Sequence, residues 1–372
     1  MAHRMELRPG EWAGAGGGHT SMAMTQSPRI LSVATALPPH QLDQNDTLAA
    51  ARAVFGPRMR DFDRLAPVFA NTGIETRHAV MPMEWYTQPR GWPERTAAFR
   101  EGALALLEEA AGTALARAGL KPEDVDAIVC ASTTGIATPS LEALLLERMG
   151  FRPDTIRLPL FGLGCAGGVL GLARAGQIAQ AMPGRTVLFL VVELCTLACR
   201  TGEATPTNVV ASALFADGAA AAVLRADDES GFPLLRASAE HTWPGTRDVM
   251  GWRVEDDGFG VIFSQDIPTV ISARLGPVVE RFLDGQGMAR TDLAGLVCHP
   301  GGAKVLHALE AVFDPVTDGL ADAWAVLRAC GNMSAASVMF VLERRLAAGA
   351  SGPHLMSALG PGFTAALALV DL

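Results

Sequence analysis

The sequence predicts an α/β protein built from two similar halves. Three observations carry that expectation. First, GLKPEDVDAIVCAS (119–132) aligns without gaps against GMARTDLAGLVCHP (287–300), with Gly, Asp, Val and Cys coinciding. Second, Gly164-Cys165 and the apolar helical run after it precede Gly331-Asn332 and MSAASVMFVLERRLAAG by nearly the same offset. Two pairs at a common spacing argue for internal duplication. Third, apolar residues make up 49% of the 372 and charged ones only 19%, as expected for strands buried on both faces of an α/β sheet.

Taken in order, residues 1–28 read as a flexible tail. The opening is glycine-rich and lacks the apolar core of a secretory signal, and Met22 and Met24 stand as alternative starts. Ordered structure is expected from RILSVATALPPH, a strand ending in a Pro-Pro turn. FREGALALLEEAAGTALARA has helical period, and DAIVCAS follows as a short buried strand. IRLPLFGLG reads as another strand, leading through glycines into the helix GVLGLARAGQIAQAM. GRTVLFLVVELC and GAAAAVL (218–224) complete the first half, expected over 29–226. The second half, 227–372, repeats the plan with ARLGPVVERFLDGQ as helix, GLVC as strand and GFTAALALV (362–370) as its last strand.

Composition excludes several classes of function. A net charge of −9 disfavours nucleic acid, whose phosphates require a basic face. No apolar run is long enough for stable insertion in a membrane. The six cysteines (130, 165, 195, 199, 298, 330) show neither CxxC nor clustered Cys/His spacing, so no metal site is expected. Scattered thiols in apolar segments suit a reducing, cytoplasmic protein.

Three residues stand out as chemistry. Cys165 lies between a buried strand and a helix start, flanked by glycines 162, 164, 167 and 168. A helix N-terminus favours thiolate over thiol, and a nearby imidazole would accept the proton. A buried structural cysteine is the competing reading. His299 ends an apolar strand at a Pro-Gly-Gly turn, where it either transfers protons or bonds its own turn. Asn332 occupies a capping position, yet matches Cys165 in the duplication. A Cys, a His and an Asn are thereby expected to converge at the junction of the halves.

At this point GCAGG, ALFADGAAA (213–221), CHPGG, GNMSAAS and LGPGFTA resemble, in order and spacing, the signatures of type III polyketide synthases, the chalcone-synthase-like family of the thiolase superfamily. The resemblance covers residues 29 to 372. It implies a five-layered αβαβα fold, a homodimer, and no cofactor. It makes Cys165 the acyl-carrying nucleophile, with His299 and Asn332 binding the thioester of malonyl-CoA. Phe215 matches an aromatic gatekeeper. Thr133, Thr134, Thr138, Cys195, Ala198, Gly251, Val261 and Ser334 match cavity-lining positions, and Glu193, Asp217 and the GPG turn match the scaffold.

Cys195 and Ala198 stand where plant members carry threonines, and Val261 where they carry a second phenylalanine. These apolar substitutions, with GIATPS, resemble the bacterial branch that makes alkylresorcinols and alkylpyrones from fatty acyl starters. Arg64, Arg77 and Lys304 are the candidates for the CoA phosphates. So few cations leave delivery by an acyl carrier protein as the alternative to free CoA. The rival is a ketoacyl synthase III-like enzyme condensing once, whose histidine segment reads His-Gln-Ala-Asn; HPGG opposes it.

Overall fold

The computed structural model describes residues 26–372, apart from Thr201, Glu229, Gln265, Pro315, Thr317 and Asp318; the expected tail up to residue 25 lies outside these. Nine strands form one sheet: β1 (Pro28–Ala36), β4 (Ala127–Ser132), β5 (Ile156–Phe161), β6 (Thr186–Leu194), β7 (Asp217–Ala226), β8 (Leu234–Thr242), β11 (Gly295–Cys298), β12 (Pro353–Gly360) and β13 (Thr364–Asp371). The short strands β2 (His40–Asp43) and β3 (Thr76–Ala79) pair with each other, as do β9 (Met250–Glu255) and β10 (Gly258–Phe263). The order of the large sheet is β11-β12-β13-β8-β1-β7-β6-β4-β5. Apart from the extra edge strand β5, it reads the same from either end about the β8–β1 junction. That symmetry is the duplication. β1 and β8 share a single register pair, Arg29 with Leu234.

The main helices are α1 (Gln44–Phe55), α2 (Trp92–Arg117), α3 (Leu141–Met149), α4 (Gly167–Ala181), α5 (Pro206–Leu214), α6 (Ile267–Asp284), α7 (Ala303–Phe313), α8 (Ala321–Cys330) and α9 (Ser337–Ala347). α4 and α9 form the middle layer. α4 packs on β4, β6 and β7 of its own half and on β8, β12 and β13 of the other, while α9 packs on β11 and β12 and on β1 and β7. A helix enclosed on all sides must be apolar all round, and GGVLGLARAGQIAQA is buried at ten of its positions. β6 shows how one strand serves two layers. Val187, Phe189 and Val191 join the cluster containing α4, whereas Leu188, Leu190 and Val192 join α2 in another. Its continuous burial follows from this period-two division.

The coincidences between the repeats now have physical causes. Gly119 and Gly287 both take left-handed φ, +67° and +68°. Asp124 and Asp292 both close a 3-10 turn, accepting from Lys121 N and Ala289 N at 2.8 Å. One correction follows from the same comparison. The turns that open α4 and α9, Gly164–Ala166 and Ser334–Ala336, are 170 residues apart, so Ala335, not Asn332, is the counterpart of Cys165. Asn332 precedes its turn and pairs with Phe215 instead.

Candidate active site

Cys165 lies in the 3-10 turn between β5 and α4. The turn is possible because Gly164 has φ +48° and no side chain; a Cβ there would sit 2.4 Å from Pro361 Cδ. The GPG turn at 360–362 thus presses directly on the segment holding the thiol. Behind it, Gly164 N–H donates to Thr133 Oγ1 (2.9 Å), and Thr133 N–H donates to Glu193 Oε2 (3.1 Å). Thr134 Oγ1 donates to the same carboxyl oxygen at 2.8 Å. Glu193 is fully buried, and burial raises its pKa to about 8 against the downward pull of its hydrogen bonds to Thr133 and Thr134.

From the other half, His299 follows β11, its N–H bonded to Ser357 O at 2.8 Å. The ring is buried, and Nδ1 has no hydrogen-bond partner. Burial lowers its pKa to about 4. Asn332 is oriented unambiguously: Oδ1 accepts from Ser334 N–H (2.8 Å) and Nδ2 donates to Gly301 O (3.1 Å). An amide nitrogen carries two hydrogens, so one remains for a ligand. Capping and function coincide here, because the bond to Ser334 both caps the turn and aims the amide. Ser334 itself has φ +46°, an uncommon conformation for a side-chain-bearing residue, and its Oγ lies 3.4 Å from Cys165 Sγ.

One cavity is lined by all of Cys165, His299, Asn332, Ser334, Phe215, Gly251 and Val261. The three residues expected to converge do so. Burial opposes the expected thiolate. Burial pushes the Cys165 thiol up to about 11, against a smaller downward pull from Ser334. Desolvation is the largest influence on the thiol, and α4 begins two residues later, at Gly167. Burial thus disfavours the charged form of both side chains, the thiolate of Cys165 and the imidazolium of His299.

The remaining cavity wall was not legible in the sequence. Met250, Trp252, Ile262 and Phe263 come from the β9–β10 hairpin, and Ile267, Leu275, Val305 and Leu309 from α6 and α7. Trp252 stands 6.0 Å from Phe215, centroid to centroid. Its position beside Gly251 in GWRVE was the one available signal. Phe215 also borders a second apolar pocket, formed with Cys195, Cys199, Tyr86, Met83 and the α1 residues Ala50, Ala51, Val54 and Phe55.

Several expected positions fall elsewhere. Thr133 is a brace behind the turn, and Thr138 is exposed. Ala198 is buried in a 3-10 turn and lines neither cavity. Arg77 does not face CoA phosphates: it is 2% exposed, its guanidinium spent on backbone carbonyls. Arg64 and Lys304 are exposed. Among the described residues no cluster of three His, Cys, Asp or Glu is placed to hold a metal, and no helix is long and apolar enough to cross a membrane.

With this geometry in hand, comparison with known proteins is direct. Residues 19–228 match the family model for the N-terminal domain of chalcone and stilbene synthases, and 234–369 match that for the C-terminal domain. The chain is 38% identical over 348 residues to the 1,3,6,8-tetrahydroxynaphthalene synthase of Streptomyces peucetius subsp. caesius, covering 92% of each. Its fold superposes on PKS-I of the brown alga Ectocarpus siliculosus with a TM-score of 0.88 at 26% identity, covering 94% of this chain and 100% of that one. The 1,3,6,8-tetrahydroxynaphthalene synthase of Streptomyces coelicolor A3(2), a type III polyketide synthase, gives 0.84 at 28%, covering 92% and 99%.

Proposed function

The chain belongs to the chalcone and stilbene synthase family, the type III polyketide synthases, and from that premise we propose that it extends a medium- or long-chain fatty acyl-CoA with malonyl-CoA and cyclises the product to an alkylpyrone or alkylresorcinol. The observation that carries the reading is the single cavity shared by Cys165, His299 and Asn332. Membership of this family also displaces the single-condensation rival.

The steps follow from the groups present. As Cys165 Sγ attacks the starter thioester, His299 takes its proton and CoA leaves as the thiol, the proton returning from the imidazolium. Malonyl-CoA then places its thioester carbonyl against the free Nδ2 hydrogen of Asn332 and against His299. Loss of CO₂ leaves an enolate, and donors aimed at its oxygen in a water-poor site lower the barrier. The enolate carbon attacks the acyl carbonyl, forms the new C–C bond and releases Cys165. Thioester transfer back to the sulfur allows another round. This chemistry calls on no cofactor.

The starter is argued from the walls. The cavity is lined mostly by apolar side chains, and the second pocket beyond Phe215 extends the apolar path past Cys195. Each methylene buried there contributes about 0.8 kcal/mol. Exposed Arg64 and Lys304 would meet the CoA phosphates, or an acyl carrier protein in its place. A homodimer is proposed on the edge strand β5, which leaves Ile156 half exposed at one end and Phe161 half exposed beside Ile136 at the other; uncovered apolar edges are normally paired. We place the protein in the cytoplasm, consistent with its unpaired cysteines.

A second reading has its own support. The Streptomyces peucetius relative is named for a polyhydroxylated aromatic without an alkyl chain, and Trp252 beside Phe215 narrows the cavity. A short or malonyl starter fits that arrangement. Mass spectrometry of products from malonyl-CoA and a ladder of acyl-CoA starters distinguishes the two. Alkylated polyketides from long starters support the first reading; products confined to short or malonyl starters overturn it in favour of the second.

A further inference from the structure

Arg77, on β3, carries a charged side chain that is only 2% exposed. Its Nη1 donates to Ser212 O (2.7 Å) and Phe215 O (2.9 Å), and its Nη2 to Ala213 O (2.7 Å) and to Gln44 Oε1. Three of these acceptors are carbonyls at the C-terminus of α5, which have no partners within the helix and present the negative end of its dipole. Gln44 stands behind, its Nε2 lying 3.0 Å from each of Ala213 O, Phe69 O and Thr72 Oγ1, among which its two hydrogens are shared.

The same segment also bonds to the active site. Asn332 N–H donates to Leu214 O at 3.1 Å, and Ala216 N–H donates to Asn332 O at 2.9 Å. Residues 212–216 are thus held both by the Arg77 guanidinium and by the backbone of Asn332. Phe215, at the centre, borders both cavities. We propose that Arg77 is a positioning residue: its guanidinium sets where the Phe215 gate stands between the cavities and so selects which starters are accepted. Only a planar fork reaches three separated carbonyls at once; the point charge of lysine does not. Burial lowers the Arg77 pKa to about 10, and the Asp217 carboxyl acts in the opposite direction, so the clamp stays charged at neutral pH.

The inference rests on the synthase reading, and turnover by the unaltered protein over a ladder of saturated acyl-CoA starters with malonyl-CoA tests that reading separately. The clamp is tested by Arg77→Lys over the same ladder, alone and combined with Phe215→Ala. The expected result is a loss of about tenfold in kcat/KM for the preferred starter, with disfavoured starters much less affected. In the Phe215→Ala background, Arg77→Lys should no longer alter the profile. Should Arg77→Lys fail to fold, Gln44→Met, which frees one side of the guanidinium, is expected to shift the profile in the same direction by a smaller factor. Equal loss for every starter, or independent effects in the double variant, would overturn the proposal.

Discussion

Asn332→Asp separates loading from condensation. Aspartate keeps the acceptor for Ser334 N–H, so the turn and the 3.4 Å approach of Ser334 to Cys165 have no reason to change. What it loses is the donor: the bond to Gly301 O and the hydrogen left for the substrate both come from Nδ2. Removing one preorganised donor to a developing oxyanion costs about 2.7–4 kcal/mol, or about 10²–10³ in kcat. A new carboxylate facing Gly301 O opposes the enolate further. Rapid-quench acylation of Cys165 by starter should stay within about threefold of the parent, while malonyl-CoA consumption falls by the full factor. The reasoning is refuted if condensation falls less than about tenfold, or if loading falls equally, because Asn332 would then act on the starter or on folding.

Three other outcomes follow. Since the Cys165 thiol is pushed up to about 11, its alkylation by iodoacetamide should accelerate about tenfold per pH unit between pH 7 and 9; a plateau already at neutral pH would mean a preformed thiolate. His299, lowered to about 4 from its ordinary 6.5, contributes stability that is present above pH 6.5 and lost as pH falls toward 4, when the unfolded chain takes up a proton the native site excludes. At about 1.4 kcal/mol per pH unit this amounts to about 3 kcal/mol. Denaturant titrations of parent and His299→Gln should therefore converge by roughly that amount across the window; Glu193 and Asp217 titrate in the opposite sense, but do so in both proteins. Gly164→Ala, whose new Cβ meets Pro361 at 2.4 Å and requires φ +48°, should destabilise by about 1–3 kcal/mol and slow loading of Cys165. Unchanged loading would show that the turn is more forgiving than its geometry implies.

What the sequence made legible was what each position does for its own backbone. Gly119 and Gly287 match because both turns need left-handed φ, and Asp124 and Asp292 because both close the same 3-10 turn. The buried strands and the two apolar inner helices were legible for the same reason, since burial on both faces leaves a continuous apolar run. Cys165 and His299 could be located from the turns that present them. The equivalence of Cys165 with Asn332 failed because the second half reaches its turn later, and local similarity does not fix that register.

Arg77 was misread for a different reason. A cation bonded to backbone carbonyls and a cation waiting for phosphate have identical local sequence, and only tertiary burial separates them. Gly251 and Val261 marked the hairpin as cavity wall in advance, but which of its neighbours face inward, Met250, Trp252 and Phe263 among them, is set by tertiary packing and not by local pattern. The desolvation that opposes a thiolate at Cys165 is visible only once the chain is packed.

The most direct test of the account is intact-protein mass spectrometry of the enzyme mixed with an acyl-CoA starter, before and after malonyl-CoA, with peptide mapping and Cys165→Ala as control. The account predicts one acyl adduct on Cys165, absent from the variant, that gives way to adducts longer by two-carbon ketide units when malonyl-CoA is added. An adduct on another cysteine, or an acyl group on Cys165 that malonyl-CoA never extends, would contradict it.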